Sequence, residues 1–151
     1  MNIDLLVVGK TDSAEIQSLV ATYLKRLNFY TRVTLVTLPD LKNTRNISAE
    51  SQKRQEGELL MRQFADGDYV VLLDEKGAEM RSVEFSMWLQ KRMNSGVRRL
   101  CFVIGGPYGF SKTVYDRADE SISLSRMTFS HQIIRAIFAE QLYRAFTIIR
   151  N

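Results

Sequence analysis

The chain is poor in the residues that build disulfides, zinc sites and linkers. Its 151 residues include one cysteine, one histidine, two prolines and eight glycines. A single cysteine excludes an internal disulfide, and one histidine beside one cysteine argues against zinc or iron sites built from those ligands. We therefore predict no metal, and the low proline and glycine content argues against a linker-rich protein.

Long hydrophobic runs are also missing. The longest nearly uncharged apolar run, Leu100 to Phe110, falls well short of the ~18–20 residues that a membrane span needs. The first residues have no basic start and carry Asp4 inside their apolar segment, unlike a signal peptide. We therefore expect no membrane contact and a reducing cytoplasmic location, with Cys101 packing as a small hydrophobe.

The motifs of several common enzyme classes are absent. The sequence has no G-x-S-x-G nucleophile elbow and no G-x-x-x-x-G-K-[ST] phosphate loop. The glycines at 105, 106 and 109 do not form the G-x-G-x-x-G dinucleotide fingerprint. These absences argue against a serine hydrolase, a P-loop enzyme and a nicotinamide site.

What is present is an ordinary globular composition, with 45% hydrophobic and 25% charged residues. The length suits one domain, which we place at residues 1–151. With 21 basic and 17 acidic groups, the net charge of +4 is spread along the chain rather than gathered in a tail. Such a charge is compatible with RNA binding by a folded surface.

Apolar runs and helical periodicities alternate five times along the chain. Strands are predicted at Asn2–Val8, 32–38, 69–73, 99–104 and 121–124, with Lys76-Gly77 ending the third. Helices are predicted after Thr11 or Asp12 as cap, from Ser48 or Ser51 to about 64, from Ser82 to Gly96, over 111–118, and from about His131 to Ile149. The alternation predicts an α/β fold, a largely parallel sheet with helices on both faces.

In such sheets, ligands bind beyond the carboxyl ends of the strands. Three ends are therefore of interest: Leu73-Asp74-Glu75, Ile104-Gly105-Gly106, and Leu124 onward. The glycine turn lets backbone amides approach a ligand closely, or is a tight strand-to-helix connection. Asp74 and Glu75 are a general base pair, cation ligands, or solvated turn acids.

The last predicted helix carries the candidate catalytic groups. His131 is either a general base or the first residue of a helix capped by Ser130. Arg135 and Arg144 could hold a phosphate or a base edge, whereas Arg144 could instead pair with Glu140 along the helix. The apolar stripe of this helix is predicted to be core or subunit interface.

Two stretches are specific in their order and composition. They are Val103–Phe110 (VIGGPYGF) and Leu124–Arg135 (LSRMTFSHQIIR), the second continuing as EQLYRA over 140–145. Together with the opening LLVVGK and the strand end Leu72-Leu73-Asp74, they closely resemble the RlmH (YbeA-like) family of SPOUT methyltransferases. The resemblance covers essentially the whole chain.

The resemblance implies a C-terminal trefoil knot, a homodimer, and S-adenosylmethionine bound in a bent shape within the knot. By motif, the cofactor contacts would be Leu73, Gly105, Leu124, Ser125, Arg126, Met127, Thr128 and Phe129.

The resemblance also implies a reaction and a substrate. The family methylates N3 of a pseudouridine in helix 69 of 23S ribosomal RNA, on the assembled 70S ribosome. Two alternatives stay open: a non-enzymatic RNA-binding ribosome-assembly factor with the same fold, and a nucleotide-binding protein of another class, such as a reductase.

Two departures from the family pattern affect the expectations. Ser130 stands where relatives often have proline, and serine can cap the helix instead. The resemblance implies a short tail with Tyr-His that bears on the substrate site, whereas this sequence stops at Asn151. We expect either a truncated sequence or a different mode of substrate binding. The group that removes the N3 proton is left unassigned.

Overall fold

The computed structural model describes residues 1–42 and 44–151. Within them the chain alternates between strands and α-helices, with one short 3-10 helix at Thr44–Asn46. The elements are β1 (Asn2–Val8), α1 (Ala14–Leu27), β2 (Val33–Leu38), α2 (Ala49–Met61), β3 (Tyr69–Glu79), α3 (Ser82–Met93), β4 (Arg99–Ile104), α4 (Lys112–Arg117), β5 (Glu120–Ser123) and α5 (Ile133–Arg150). None of the helices in these two ranges is long and apolar enough to cross a membrane.

The strands form one sheet in the order β2-β1-β4-β3-β5. Every pair of neighbouring strands is parallel, so all five carboxyl ends lie along the same edge. The predicted α/β fold with a mostly parallel sheet is confirmed.

Alternate residues of each central strand point to opposite faces of the sheet, and each face has its own apolar cluster. Ile3, Leu5 and Val7 of β1 pack on the face covered by α1, α3 and α5. Leu6 and Val8 pack on the face covered by α2 and α4. Because both faces are covered, the first five residues of β3 can form a continuous apolar run (YVVLL over 69–73).

The first helix begins later than predicted. Its cap is Ser13, whose Oγ accepts a hydrogen bond from the Ile16 amide at 3.3 Å. The predicted caps, Thr11 and Asp12, instead contact α5 and the residue before it. Thr11 Oγ1 accepts a bond from Arg135, and the Asp12 amide donates to Gln132 Oε1. Thr11 and Asp12, which local sequence rules favoured as helix caps, are therefore used in tertiary contacts instead.

The third strand continues past the predicted break at Lys76-Gly77. It shifts register between Leu73 and Ala78, which both pair with Ile122, and it continues to Glu79. The backbone at Gly77 runs close to β5, since a Cβ there would lie 2.6 Å from the Ile122 amide nitrogen. Residues 74–77 therefore form a bulge at the carboxyl edge, and the prediction that the strand ends here was wrong.

After β5 the chain returns across the carboxyl ends of β3 and β4 to reach β1. Gln132 Nε2 donates to the Lys10 carbonyl at 2.9 Å, and the Asp12 amide donates to Gln132 Oε1 at 3.0 Å. The helix α5 then begins at Ile133, whose amide donates to Ser130 Oγ at 3.1 Å. The threading of this segment into a trefoil knot stays a prediction.

Candidate functional site

A cavity of about 610 Å³ lies at the carboxyl edge of the sheet, beyond β3, β4 and β5. Its walls are the β3 bulge, the glycine turn after β4, and the segment 124–131 that follows β5. This volume is in the range of cavities that hold small ligands. The three strand ends selected from the sequence therefore meet around one space.

Most of the residues predicted to hold a cofactor line this cavity. They are Leu73, Gly105, Leu124, Ser125, Met127, Thr128 and Phe129. The eighth, Arg126, lies outside the lining, where its exposed side chain pairs with Glu79 at an Nε–Oε1 distance of 2.6 Å. His131 also lines the cavity, whereas Arg135 and Arg144 do not.

The glycine turn forms one wall through its backbone. The Gly109 amide donates to the Gly106 carbonyl at 3.2 Å, and Pro107 takes the second position of this turn, which suits its fixed φ. Gly109 has φ +82°, a conformation that favours glycine. A Cβ at Gly105 would lie 3.0 Å from Phe110 Cε1 and 3.3 Å from the Gly109 carbonyl oxygen. The glycine turn is therefore both a tight connection from β4 to α4 and a wall of the cavity.

The two acids of the β3 bulge are held by hydroxyl groups from other walls. Thr128 Oγ1 donates to Glu75 Oε2 at 2.7 Å, which ties the segment after β5 to the bulge. The Tyr115 hydroxyl donates to Asp74, whose other oxygen accepts the Lys76 amide at 3.1 Å. Burial, together with this bond to Asp74, raises the pKa of Tyr115, so it remains a donor at neutral pH. Asp74 is partly buried and Glu75 stays exposed, and each acid is held by a hydroxyl group from another wall of the cavity.

Arg135 is fully buried and bound to backbone. Its guanidinium donates to the carbonyls of Val8 and Gly9 at 2.9 and 2.8 Å, to Thr11 Oγ1 at 3.0 Å, and to the His131 carbonyl at 3.0 Å. Burial lowers the pKa of its guanidinium. These contacts join the start of α5 to the end of β1 and leave no part of the guanidinium facing the cavity.

Arg144 forms the intrahelical pair that the sequence offered as one of its two interpretations. Its Nε donates to Glu140 Oε1 at 3.0 Å on the solvent side of α5. The burial of Arg135, in contrast to Arg144, could have been predicted from the sequence. Arg135 lies at helical spacing from Phe138 and Leu142, so it falls on the same buried face of α5.

Two residues of α2 near the site were not selected from the sequence. Lys53 lines the cavity, and Glu56 is buried next to the glycine turn. Burial raises the pKa of the Glu56 carboxyl, and Asp40 nearby adds to the rise. The sequence feature that could have indicated this part of the site is Gly57, because a glycine inside a helix often marks a close approach of another segment.

No group of three or more histidine, cysteine, aspartate or glutamate side chains within 1–42 and 44–151 is arranged to hold a metal ion.

Comparison with known proteins gives the family. A family model described as "Predicted SPOUT methyltransferase" matches residues 1–151. The chain belongs to the SPOUT methyltransferase family. The resemblance noted from the motifs is thereby confirmed.

Similar SPOUT proteins match along the full length of this chain. "Ribosomal RNA large subunit methyltransferase H" from Flavobacterium johnsoniae is 54% identical over 151 residues, which are 100% of this chain and 96% of the relative. The proteins of the same name from Christiangramia forsetii and Flavobacterium psychrophilum are 54% and 52% identical, with the same shares covered.

Proposed function

We propose that this SPOUT protein is an S-adenosylmethionine-dependent methyltransferase of large-subunit ribosomal RNA. The relatives that match its full length carry that RNA in their names. At the finer level, we propose N3 of a pseudouridine in helix 69 of 23S RNA, on the assembled ribosome, as the methylated position. The observation that carries the proposal is the meeting of seven motif residues from three strand ends around one cavity.

The cavity suits the proposed cofactor in size and lining. Its volume of about 610 Å³ fits a ligand of nucleoside size, and its walls combine apolar side chains with hydroxyls and charged groups, among them Lys53, Asp74 and Glu75. Leu73, Leu124 and Phe129 would supply apolar contact, while Ser125 and Thr128 would supply polar contact. Bound there, S-adenosylmethionine would supply an electrophilic methyl group on its sulfonium.

The chain's own task in this reaction is to position groups and to handle one proton. Methyl transfer needs the reacting atoms held in line, which rigid cavity walls favour. Two features make these walls rigid: the turn at Pro107 and the hydrogen bond from Thr128 to Glu75. N3 of the base carries a proton between two carbonyls, so that proton must leave as the methyl arrives. His131 lines the cavity and is our candidate for receiving it.

Further parts of the proposal concern assembly, partner and location. We place the activity in a single domain over 1–151 that works as a homodimer, with α5 contributing to the interface. The net charge of +4 would favour contact with RNA phosphates. A ribosomal substrate would place the protein in the cytoplasm.

Cofactor binding is tested by thermal shift with S-adenosylmethionine, S-adenosylhomocysteine and NAD. A ligand at 100 times its Kd stabilises a protein by ~2.7 kcal/mol, which raises Tm by a few degrees. The first two compounds should raise Tm and NAD should not. Gly105→Val should abolish the shift, because no space for a branched side chain exists beside Phe110. Gly67→Ala, where no atom lies within 4 Å of the new Cβ, should keep it.

Methyl transfer is tested with tritiated S-adenosylmethionine and three substrates: 70S ribosomes, 70S ribosomes lacking the pseudouridine, and free RNA. Incorporation should occur on the first and be nearly absent on the other two. A folded protein that binds the cofactor and 70S ribosomes without transferring methyl groups would favour the assembly-factor alternative.

A further inference from the structure

Glu56 on α2 places a buried carboxylate directly against the glycine turn of the cavity. The residue is only 5% exposed and does not line the cavity itself. A Cβ built on Gly106 would lie 2.5 and 2.6 Å from the two oxygens of this carboxylate. The Glu56 side chain thus occupies the space that any other residue at 106 would need for its own side chain.

The position of Glu56 follows from the close packing of α2 on the start of α4. A Cβ at Gly57 would lie 2.4 Å from Ser111 Oγ and 3.3 Å from Val114 Cγ2. The missing side chain therefore lets α2 approach the segment that follows the glycine turn. Glu56, the residue before Gly57, consequently contacts the turn at Gly106 without lining the cavity.

A carboxylate is an expensive group to bury at this position. Within the described chain its one hydrogen-bond donor is Gln52 Nε2, at 3.4 Å from Oε2, and no donor reaches Oε1. Burial of a carboxyl group with so few hydrogen-bond partners disfavours the folded state. An apolar side chain of similar size would avoid that cost, so the group is better explained by its contact with the turn than by stability.

We propose that Glu56 is a positioning residue that holds the Gly105-Gly106 turn in the shape the cofactor requires. The inference rests on the proposed function, since the turn matters as a wall of the cofactor site. Its carboxylate packs against Gly106, and both Gly106 and the preceding Gly105 line the cavity. Without this support the turn can relax away from the cavity, and the wall loses its fit to the ligand.

The test is a double-mutant cycle between Glu56→Ala and Gly106→Ala, read out as the Kd for S-adenosylmethionine. Glu56→Ala removes the support, and Gly106→Ala forces a methyl group into the carboxylate. Each change alone should weaken binding by about tenfold or more, since small displacements in a fitted site have large effects. The double variant should recover much of that loss, because the new methyl group fills the space that the carboxylate leaves.

Two further variants separate positioning from general damage. Glu56→Gln keeps the shape and should bind S-adenosylmethionine within about twofold of the wild type. Glu58→Ala removes an exposed acid of the same helix and should leave the Kd unchanged. In methyl transfer, Glu56→Ala should raise the KM for S-adenosylmethionine far more than it lowers kcat.

The proposal is overturned if Glu56→Ala leaves the Kd unchanged, or if the two substitutions are additive. Should Glu56→Ala fail to fold, Glu56→Asp with Gly106→Ala gives the same cycle with a shorter carboxylate. A wild-type chain that binds no S-adenosylmethionine would overturn the proposed function instead. The same double-mutant cycle would then be measured as unfolding free energies without cofactor. Coupling between the two substitutions would support the contact between Glu56 and Gly106, and additive effects would overturn it.

Discussion

At the residue scale, two arginines of one helix illustrate how surroundings determine what a charged side chain does. Arg135 is fully buried and its guanidinium donates to the Val8 and Gly9 carbonyls. Arg144 lies on the solvent side and pairs with Glu140. Buried carbonyls that lose their donor cost free energy, whereas exposed ion pairs contribute little.

We therefore predict that Arg135→Met lowers the unfolding free energy by about 3 kcal/mol, because it removes the guanidinium donors of those two buried carbonyls. Arg144→Met is the matched control on the same helix and should change stability little. Urea denaturation of both variants measures the difference. Similar losses in the two would show that the buried contacts at β1 do not hold α5.

Cys101 lies in the centre of the sheet, on β4, and is fully buried. Burial raises the pKa of its thiol to about 12. Because only the thiolate reacts, alkylation of the folded protein should be very slow at pH 8 and should rise only as the pH approaches that value. Iodoacetamide labelling followed by mass spectrometry checks this. Fast labelling of the native chain at pH 8, at the rate seen in denaturant, would contradict it.

At the element scale, β3 contributes one wall of the cavity without interrupting the sheet. The bulge over residues 74–77 leaves the ladder, and pairing with β5 resumes at Ala78. This detour presents Asp74 and Glu75 to the cavity without ending the strand. It depends on Gly77, whose missing side chain lets the backbone of β3 run against Ser121 and Ile122.

We predict that Gly77→Ala lowers the unfolding free energy by about 3 kcal/mol, since its methyl group would meet backbone atoms that cannot move aside. It should also weaken S-adenosylmethionine binding, because the bulge is one wall of the cavity. In Gly67→Ala the methyl group meets nothing, so only the left-handed strain of about 1 kcal/mol is expected, with normal binding. Unfolding curves and titration calorimetry compare the pair, and normal binding by Gly77→Ala would count against the bulge as a wall.

At the scale of the whole molecule, α5 packs against both α1 and α3 and carries apolar side chains that the single chain covers only in part. One face packs in the core through Phe138, Leu142 and Phe146. Ile133, Ile137 and Ile148 remain half-buried within the single chain. Such partly covered apolar side chains suit a subunit interface.

We therefore predict a homodimer with α5 in its interface. Light scattering at micromolar concentration should give a mass near twice the 17.4 kDa of one chain. Hydrogen exchange along α5 should slow as the protein concentration rises, because association would cover those isoleucines. A mass of one chain at all concentrations would contradict the prediction.

Much of the fold could be predicted because its signals are local. Alternation of apolar runs and helical spacings indicated the five strands and five α-helices of the described chain, and β1 and β4 have their predicted ends. The third strand was the exception, since β3 runs past its predicted end at Leu73 to Glu79. Parallel pairing followed from that alternation, and the edge where a ligand would bind followed from parallel pairing. The two motifs after β4 and β5 then indicated the family, which comparison confirmed.

The tertiary structure decided what depends on residues far apart in the chain. Arg135 meets the end of β1, Glu56 meets the turn at Gly106, and Arg126 turns away to Glu79. Periodicity relates a residue to neighbours two to four positions away, so it predicts which face is apolar but not which distant segment covers it. Such long-range contacts determine whether a charged side chain lies in the core, at the cavity or in solvent.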